Sequence, residues 1–415
     1  MTEPHVTLAQ PFTLPNGQTV PNRLLKSAMS ETLGSPDNRP TDAHVRLYRR
    51  WAEGGIGLAI TGNVMVDRRA LGEPGNVAVE DERDLEQLRA WAAAGQAHGG
   101  RIWMQLNHPG RQVPKFLNAE SVAPSAVPFR KEMQAMFATP RELTEAEIED
   151  IVQRFARSAA IAETAGFDGV QIHGAHGYLV SQFLSPRTNL RTDRWGGSAE
   201  NRRRFAEEIY RAIRGATSDG FGVSIKINSA DFQKGGLGED ESVETIVALA
   251  EKGLDFIEIS GGNYEAPAMM SRKPGPVKES TKRREAFFLE FAERLRGQMS
   301  RPLVLTGGFR SGAAMADAVT SGAVDMVGLA RTLAVDPDFP NKLLTDAAAR
   351  LDLPSRTTGF RAIDRMAMIE ITWYELQLHR MGAGKETKPH ANPLLSAISY
   401  GMSNGLGVFR TRRAR

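Results

Sequence analysis

Short runs of apolar, β-prone residues alternate with amphipathic stretches of helical spacing, and this alternation constrains the fold of the chain more than any other feature. Eight runs are predicted to be strands, at residues 23–30, 56–63, 101–107, 169–175, 222–228, 256–262, 302–308 and 326–331. Eight helices are predicted to follow them, at residues 42–53, 84–98, 145–165, 199–217, 241–253, 285–299, 312–321 and 337–348. Eight strand–helix units are typical of a closed parallel barrel, so we predict an α/β fold of the (β/α)8 TIM barrel type.

An open doubly wound sheet is the main alternative fold. Its dinucleotide-binding signature, G-x-G-x-x-G, is missing after every predicted strand, which favours the barrel. One helix start is well marked, because Thr144 and Glu147 have the spacing of a capping box.

Several segments go beyond a minimal barrel. Residues 10–22 contain the turn signal Pro15-Asn16-Gly17 and are predicted to form an N-terminal hairpin that closes the barrel floor. The stretches 108–144 and 176–198 are too long for plain connections, so we expect functional loops.

The predicted barrel comprises residues 1–350, and a C-terminal helical extension follows at 351–415. The extension carries an apolar stripe that would pack on the barrel or on a second subunit of a homodimer. The stripe consists of Ile363, Met366, Ile369, Trp373 and Leu376. Trp373 and Tyr374 look exposed in this pattern, and we expect them to shape access of the substrate.

Composition narrows the chemistry. The chain of 415 residues has no cysteine, which excludes disulfides, thiolate metal sites and cysteine nucleophiles. The net charge of +3 and the lack of interleaved bases and aromatics speak against nucleic acid as a partner, and the basic end at 409–415 reads as a solvated tail. Because no apolar run is long enough to span a bilayer and the first residues lack a secretory signal, we expect no membrane association and a cytoplasmic location.

Polar residues gather where the fourth predicted strand ends. His173, His176 and Tyr178 follow one another within a few positions there, at the end of the barrel where active sites lie. A buried structural histidine and a metal site are the alternatives, and the latter is weakened because the other strand ends supply no clear set of ligands. The tyrosine and glycines favour hydrogen-bond donors that converge on a small polarised group.

The segment from His173 to Ser198 resembles the central signature of the old yellow enzyme family. It reads H-G-A-H-G-Y-L-V-S-Q-F-L-S-P and then N-L-R-T-D-R-W-G-G-S. The likeness continues in the runs Met104–Arg111, Ser229–Phe232, Leu305–Arg310 and Gly328–Arg331. It spans residues 10–345, and the C-terminal residues lie outside the common core.

The resemblance implies a tightly bound, non-covalent FMN across the strand ends. Its phosphate would meet backbone amides and the cation of Arg331. The residues implied at this end are Gly307, Gly308, Phe309, Gly328, Ala330 and Arg331.

The ring of the cofactor has its own implied contacts. Gln105 would pair with the pyrimidine edge, and Lys226, where the family commonly has arginine, would place a positive charge near the ring position that becomes anionic. The segment Ser27-Ala28-Met29-Ser30 would pass the flavin carbonyl, with Ser30 donating a hydrogen bond where many relatives have cysteine or threonine. Gly62 and Asn63 resemble backbone contacts from the second strand.

The implied activity is NAD(P)H-dependent reduction of activated double bonds in a small-molecule substrate. NADH or NADPH would reduce the flavin, His173 and His176 would hold the carbonyl oxygen of an enone, nitro compound or maleimide, and Tyr178 would protonate the α-carbon. The addition would be trans and the kinetics ping-pong. Alternatives are another FMN barrel oxidoreductase, a flavin-binding sensor or carrier, and a metal-dependent barrel lyase or isomerase.

Overall fold

The computed structural model describes residues 4–262, 287–346, 348–353, 356–360, 364, 368–396 and 398. Within them, eight parallel strands hydrogen-bond in chain order and the last pairs with the first, which closes a barrel. The strands are β1 Leu24–Lys26, β2 Leu58–Ile60, β3 Arg101–Asn107, β4 Gly169–Gly174, β5 Gly222–Asn228, β6 Ile257–Ser260, β7 Leu303–Thr306 and β8 Met326–Leu329. The predicted (β/α)8 barrel is confirmed, with most strands shorter than predicted.

Helices surround the barrel in the predicted order. They are α1 Pro4–Ala9, α2 Asp42–Glu53, α3 Leu85–Gly95, α4 Glu145–Thr164, α5 Leu179–Leu184, α6 Ala199–Ala216, α7 Glu239–Glu251, α8 Leu289–Arg296, α9 Gly312–Thr320, α10 Arg331–Val335, α11 Phe339–Thr345 and α12 Ile369–Gly382. The capping box of α4 is present, since the Thr144 amide donates to Glu147 Oε2 at 2.8 Å and the Glu147 amide donates to Thr144 Oγ1 at 3.3 Å. Parts of the helices predicted at 285–299 and 337–348 lie outside the described residues.

The N-terminal hairpin closes the floor of the barrel. Its strands, Phe12–Thr13 and Thr19–Val20, pair antiparallel around Gly17, whose φ of 85° suits the turn. Leu14 and Val20 are buried in the same apolar cluster as the inward-facing residues of the barrel. Gln18 Nε2 donates to the carbonyls of Asp168 at 2.6 Å and Gly220 at 2.8 Å, which ties the hairpin to the chain just before β4 and β5.

The interior of the barrel is filled by large side chains. Trp103 on β3 packs against Phe256 with ring centroids 4.9 Å apart, and both are fully buried. A Cβ atom on Gly222 would collide with the Trp103 ring, so this position of β5 requires glycine. The packed floor leaves the opposite end of the barrel to form a site.

Two long loops and α12 cover that opposite end. The 108–144 loop contains a short parallel pair, Val122–Ala123 with Arg141–Glu142, and Gln112 Nε2 donates to the His176 carbonyl at 2.9 Å. Helix α12 lies beside α2, where Arg46 Nε donates to the Gly382 carbonyl at 2.6 Å. None of the helices among the described residues combines the length and apolar character required to cross a lipid bilayer.

Candidate active site

A cavity of about 290 Å³ opens at the carboxyl ends of the strands. Its walls come from the segments after β1, β4, β6, β7 and β8, from Lys226 on β5 and from helix α12. Twelve of the predicted site residues line it: Ala28, Met29, Ser30, His176, Tyr178, Lys226, Gly307, Gly308, Phe309, Gly328, Ala330 and Arg331. The other predicted residues, Ser27, Gly62, Asn63, Gln105 and His173, are buried around the cavity but are not among its lining residues.

His173, His176 and Tyr178 form one group of rings. The ring of His173 lies 5.2 Å from that of His176 and 4.8 Å from that of Tyr178, measured between centroids. The chain turns sharply after β4 because His176 and Gly177 have φ values of 61° and 79°. The His176 amide donates to Asn228 Oδ1 at 3.1 Å, which holds this turn against β5.

Burial favours the neutral form of both imidazoles. Burial, followed by the charges of His176 and Lys226, holds the pKa of His173 well below its usual range. Burial and Lys226 likewise lower the pKa of His176 to about 3. The Ala175 amide donates to His173 Nδ1 at 3.3 Å, so the ring proton of His173 is on Nε2, and Nε2 has no partner among the described residues.

Ser260, which the sequence analysis missed, contacts the second histidine. Its Oγ lies 2.8 Å from His176 Nε2, and its side chain is fully buried at the end of β6. This contact leaves Nδ1 as the nitrogen of His176 open to a ligand. In the described part of the chain, no set of three or more His, Asp or Glu side chains is arranged to hold a metal ion.

Glycines shape the far end of the cavity. Gly307 and Gly308 follow β7 with φ values of 124° and 91°, a region that other residues rarely adopt. A Cβ on Gly328 would collide with the hydroxyls of Thr306 and Ser27, so β7 and β8 approach closely only because glycine stands there. Arg331 is about one-third exposed here, and its Nη1 lies 3.5 Å from Glu370 Oε2.

Lys226 is paired with Glu258, a second residue that the sequence analysis missed. Lys226 Nζ lies 3.0 Å from Glu258 Oε1, and both side chains are buried. The other Glu258 oxygen accepts from Gln171 Nε2 at 2.9 Å, and Gln171 Oε1 accepts from Gln105 Nε2 at 2.8 Å. Gln105 is therefore held beneath the cavity by its amide nitrogen.

A second buried ion pair supports the segment after β2. Lys26 Nζ donates to Glu31 Oε1 and to Tyr48 Oη, each at 2.9 Å. The Gly62 amide donates to the same two groups, at 3.1 Å and 2.9 Å, and the Gly62 carbonyl accepts from Thr61 Oγ1 at 2.8 Å. Both backbone polar groups of Gly62 thus have partners within the protein.

Ser30 bonds to a carboxylate beside the cavity. When Glu73 is ionised, the Ser30 hydroxyl donates to its Oε1 at 2.7 Å and presents a lone pair towards the cavity. Asn76 Nδ2 also donates to Glu73 Oε1 at 3.3 Å and lies 3.5 Å from Asn63 Oδ1. Asn63 therefore contacts Asn76, which in turn holds the carboxylate of Glu73.

The expectation that the two aromatic residues of α12 are exposed was wrong. Trp373 and Tyr374 are 0% and 5% exposed, because α12 packs on the barrel and turns Tyr374 into the cavity wall. In the predicted stripe Ile369 is also buried and Leu376 is partly buried, while Ile363 and Met366 lie outside the described residues. His379 Nε2 lies 3.0 Å from the Glu31 carbonyl and 2.8 Å from Thr32 Oγ1, so α12 also holds the segment after β1.

Comparison with known proteins gives one consistent assignment. The model of the NADH:flavin oxidoreductase / NADH oxidase family matches residues 7–349. The NADH-dependent flavin oxidoreductase iliE of Hypocrea jecorina is 40% identical over 363 residues, which are 83% of this chain and 90% of that protein. The protein of the same name from Neonectria sp. is 40% identical over 354 residues, 80% of this chain, but the chain spans 46% of its length.

The fold has a solved counterpart. The old yellow enzyme homologue from Zymomonas mobilis superposes with a TM-score of 0.70 at 24% identity, over 84% of this chain and 95% of that one. At this identity the likeness supports the barrel fold.

Proposed function

Because the chain belongs to the NADH:flavin oxidoreductase / NADH oxidase family, an old yellow enzyme type of oxidoreductase, we propose that it reduces activated carbon–carbon double bonds. FMN and NADH or NADPH are the cofactors of this enzyme type. The proposed substrates are α,β-unsaturated carbonyl compounds, nitroalkenes and maleimides. The observation that carries the proposal is the group of three rings at the cavity, in which His173 contacts both His176 and Tyr178.

The residues at the strand ends fit FMN. Gly307 and Gly308 have backbone conformations that let the chain approach a phosphate closely, and Arg331 adds a partly exposed cation at the same end. At the other end, Lys226 supplies a buried cation for the pyrimidine side of the ring. A bound FMN would take a hydride from NADH or NADPH and deliver it to the β-carbon of the substrate.

His173 and His176 are the proposed donors to the substrate oxygen. His173 carries its proton on Nε2, and Ser260 can donate its hydroxyl hydrogen to His176 Nε2, which leaves the proton of that ring on Nδ1. Two neutral N–H donors can stabilise the negative charge that develops on the oxygen as the β-carbon is reduced. Their depressed pKa values keep both rings neutral at physiological pH, so a proton must come from elsewhere.

Tyr178 is the proposed proton donor. Its ring contacts that of His173, and its side chain is 6% exposed in the wall of the cavity. The phenol would protonate the α-carbon while the histidines hold the oxygen, which gives trans addition. Because the nicotinamide and the alkene would use the same space above the flavin, the proposal includes ping-pong kinetics.

An anaerobic absorbance titration tests the proposal. The purified protein is titrated with NADPH or NADH and then with 2-cyclohexenone. A yellow protein that bleaches with the nicotinamide and regains its colour with the enone would support both half-reactions. A protein that bleaches but is not reoxidised by the enone would keep the flavin and contradict the substrate class, and a colourless protein that takes up no FMN would overturn the proposal.

A further inference from the structure

Glu258 occupies the centre of the polar groups beneath the cavity. It is fully buried on β6, and its carboxylate has three partners on three other strands of the barrel. Oε1 lies 3.0 Å from Lys226 Nζ and accepts from Thr306 Oγ1 at 2.7 Å. Oε2 accepts from Gln171 Nε2 at 2.9 Å. A buried carboxylate with these partners has its charge matched and both of its oxygens hydrogen-bonded.

Through these partners Glu258 reaches three of the residues predicted to contact the ring of the cofactor. Lys226 is bonded to it directly, Gln105 through Gln171, and Ser27 through Thr306, whose Oγ1 lies 2.7 Å from Ser27 Oγ. Removing the carboxylate would therefore leave the charge of Lys226 unbalanced and affect the positions of Gln105 and Ser27.

The ion pair with Lys226 determines the ionisation state of Glu258. Burial acts to raise the pKa of the Glu258 carboxyl, but the Lys226 ammonium and the accepted hydrogen bonds hold that pKa below its usual value. The carboxylate is thus ionised and offsets the ammonium, so a ligand above them meets a cation whose field is largely cancelled.

We propose that Glu258 is a positioning residue that offsets the charge of Lys226 towards the flavin and so lowers the reduction potential of the bound FMN. The inference rests on the proposed function, because it requires FMN above Lys226. Transfer of a hydride from NADH to FMN moves two electrons and one proton and leaves NAD⁺ and an anionic reduced ring. An unbalanced cation beside the pyrimidine side would stabilise that anion, and Glu258 removes most of this stabilisation.

The test compares the FMN-loaded wild-type protein with Glu258→Gln. We expect the two-electron reduction equilibrium to move at least tenfold towards reduced flavin, which is about 30 mV for two electrons. Sulfite provides a second readout without turnover. It adds to flavin N5 through a new N–S bond and places negative charge on the ring, so its affinity should also rise about tenfold or more, by the same electrostatic argument.

Asp255→Asn is the matched control. Asp255 is also a buried carboxylate next to the same strand, but it lies at the floor, where it accepts from the Val223 amide at 2.7 Å. If the effect of Glu258 depends on its contact with Lys226, Asp255→Asn should keep both quantities within about twofold of wild type. These quantities are the reduction equilibrium of the flavin and the affinity for sulfite.

A double variant covers the case in which Glu258→Gln does not retain FMN. Lys226→Gln with Glu258→Gln removes both buried charges, and a balanced pair predicts a reduction equilibrium within about twofold of wild type. If the reduction equilibrium of the double variant moved tenfold or more towards oxidised flavin, the Lys226 charge would act unopposed in the wild-type protein. That result would overturn the inference.

The remaining outcomes separate the two proposals. If FMN binds and is reduced by NADH but Glu258→Gln leaves the potential and the sulfite affinity unchanged, the inference fails and the proposed function stands. If the wild-type chain takes up no FMN, both fail together.

Discussion

The hydroxyl of Ser30 donates a 2.7 Å hydrogen bond to the carboxylate of Glu73. Burial and the neighbouring Glu31 carboxylate raise the pKa of Glu73 above its usual value. When Glu73 is ionised it accepts the hydrogen of Ser30, and when it is protonated Ser30 is free to donate towards the cavity. We therefore expect the absorbance of bound FMN to change with one ionisation above pH 4.5, the ordinary pKa of a glutamate.

Absorbance spectra of the FMN-loaded protein across pH check this prediction. Glu73→Gln should abolish the titration, and Ser30→Ala should abolish it too, because the effect needs both partners. A titration that persists in Glu73→Gln would assign it to another group.

Tyr178→Phe should slow alkene reduction and spare reduction of the flavin. The change removes one hydroxyl and keeps the ring that packs against His173. General acid catalysis contributes about 10²- to 10⁴-fold, so reoxidation of reduced enzyme by 2-cyclohexenone should slow by at least about 10². Stopped-flow measurement of the two half-reactions separates these effects, and equal slowing of both would remove Tyr178 from the role of proton donor.

Ser260→Ala should weaken binding of phenols, which would place their oxygen near the two histidines. Without the hydroxyl next to His176 Nε2, the ring proton is no longer held on Nδ1. The loss of one hydrogen bond of about 1.4 kcal/mol raises the phenol dissociation constant about tenfold. The colour change of the phenol complex measures this directly, and His173→Ala should weaken it as well.

Ser229→Ala is the control for Ser260. Ser229 is a fully buried serine whose hydroxyl has no hydrogen-bond partner among the described residues. Its removal should leave phenol affinity within about twofold. Equal losses in both variants would point to general loosening of the site rather than to the tautomer of His176.

Buried histidines should make the protein lose stability as the pH falls below neutrality. Burial lowers the pKa of His44 and of His108 from 6.5 to about 4. Between these values the unfolded chain takes up protons that the folded chain does not, so each histidine lowers the free energy of unfolding by about 1.4 kcal/mol per pH unit. Urea unfolding at pH 7, 6 and 5 measures the slope.

His44→Gln isolates one of these contributions. It should reduce the pH slope by about 1.4 kcal/mol per unit while other buried histidines keep theirs. A slope that is the same in wild type and variant would show that His44 is not protonated preferentially in the unfolded state.

The barrel could be predicted from the sequence because each element carries its own periodic signal. Helix α2 has the predicted bounds, while β1 ends at Lys26 although the prediction ran to residue 30. The residues after Lys26 leave the barrel to form the cavity wall, although Ala28 and Met29 continue the apolar pattern. The path of these residues is set by tertiary contacts between distant parts of the chain, such as that of His379 with the Glu31 carbonyl.

The histidine and tyrosine group could also be predicted, because its members follow one strand. The contacts of the supporting side chains could not be predicted from the sequence, because they join distant parts of the chain. Examples are the pairs Lys226 with Glu258 and Ser30 with Glu73. Glu258 had a usable signal, because a carboxylate inside an apolar strand is costly to bury without a cation.

Trp373 and Tyr374 were misjudged for a related reason. Helix α12 packs on the barrel with one side and lines the cavity with another, so residues around most of its surface are buried. The apolar periodicity of such a helix therefore does not show which residues are exposed.

The hairpin at the barrel floor has a consequence for biosynthesis. The Gly220 carbonyl to which Gln18 donates is made 202 residues later than the glutamine. At about 5–20 residues per second, that partner appears roughly 10–40 s after the glutamine. Throughout this interval Leu14 and Val20 have no barrel to enter, so the nascent chain presents an apolar hairpin that a chaperone able to hold short apolar segments would be positioned to shield.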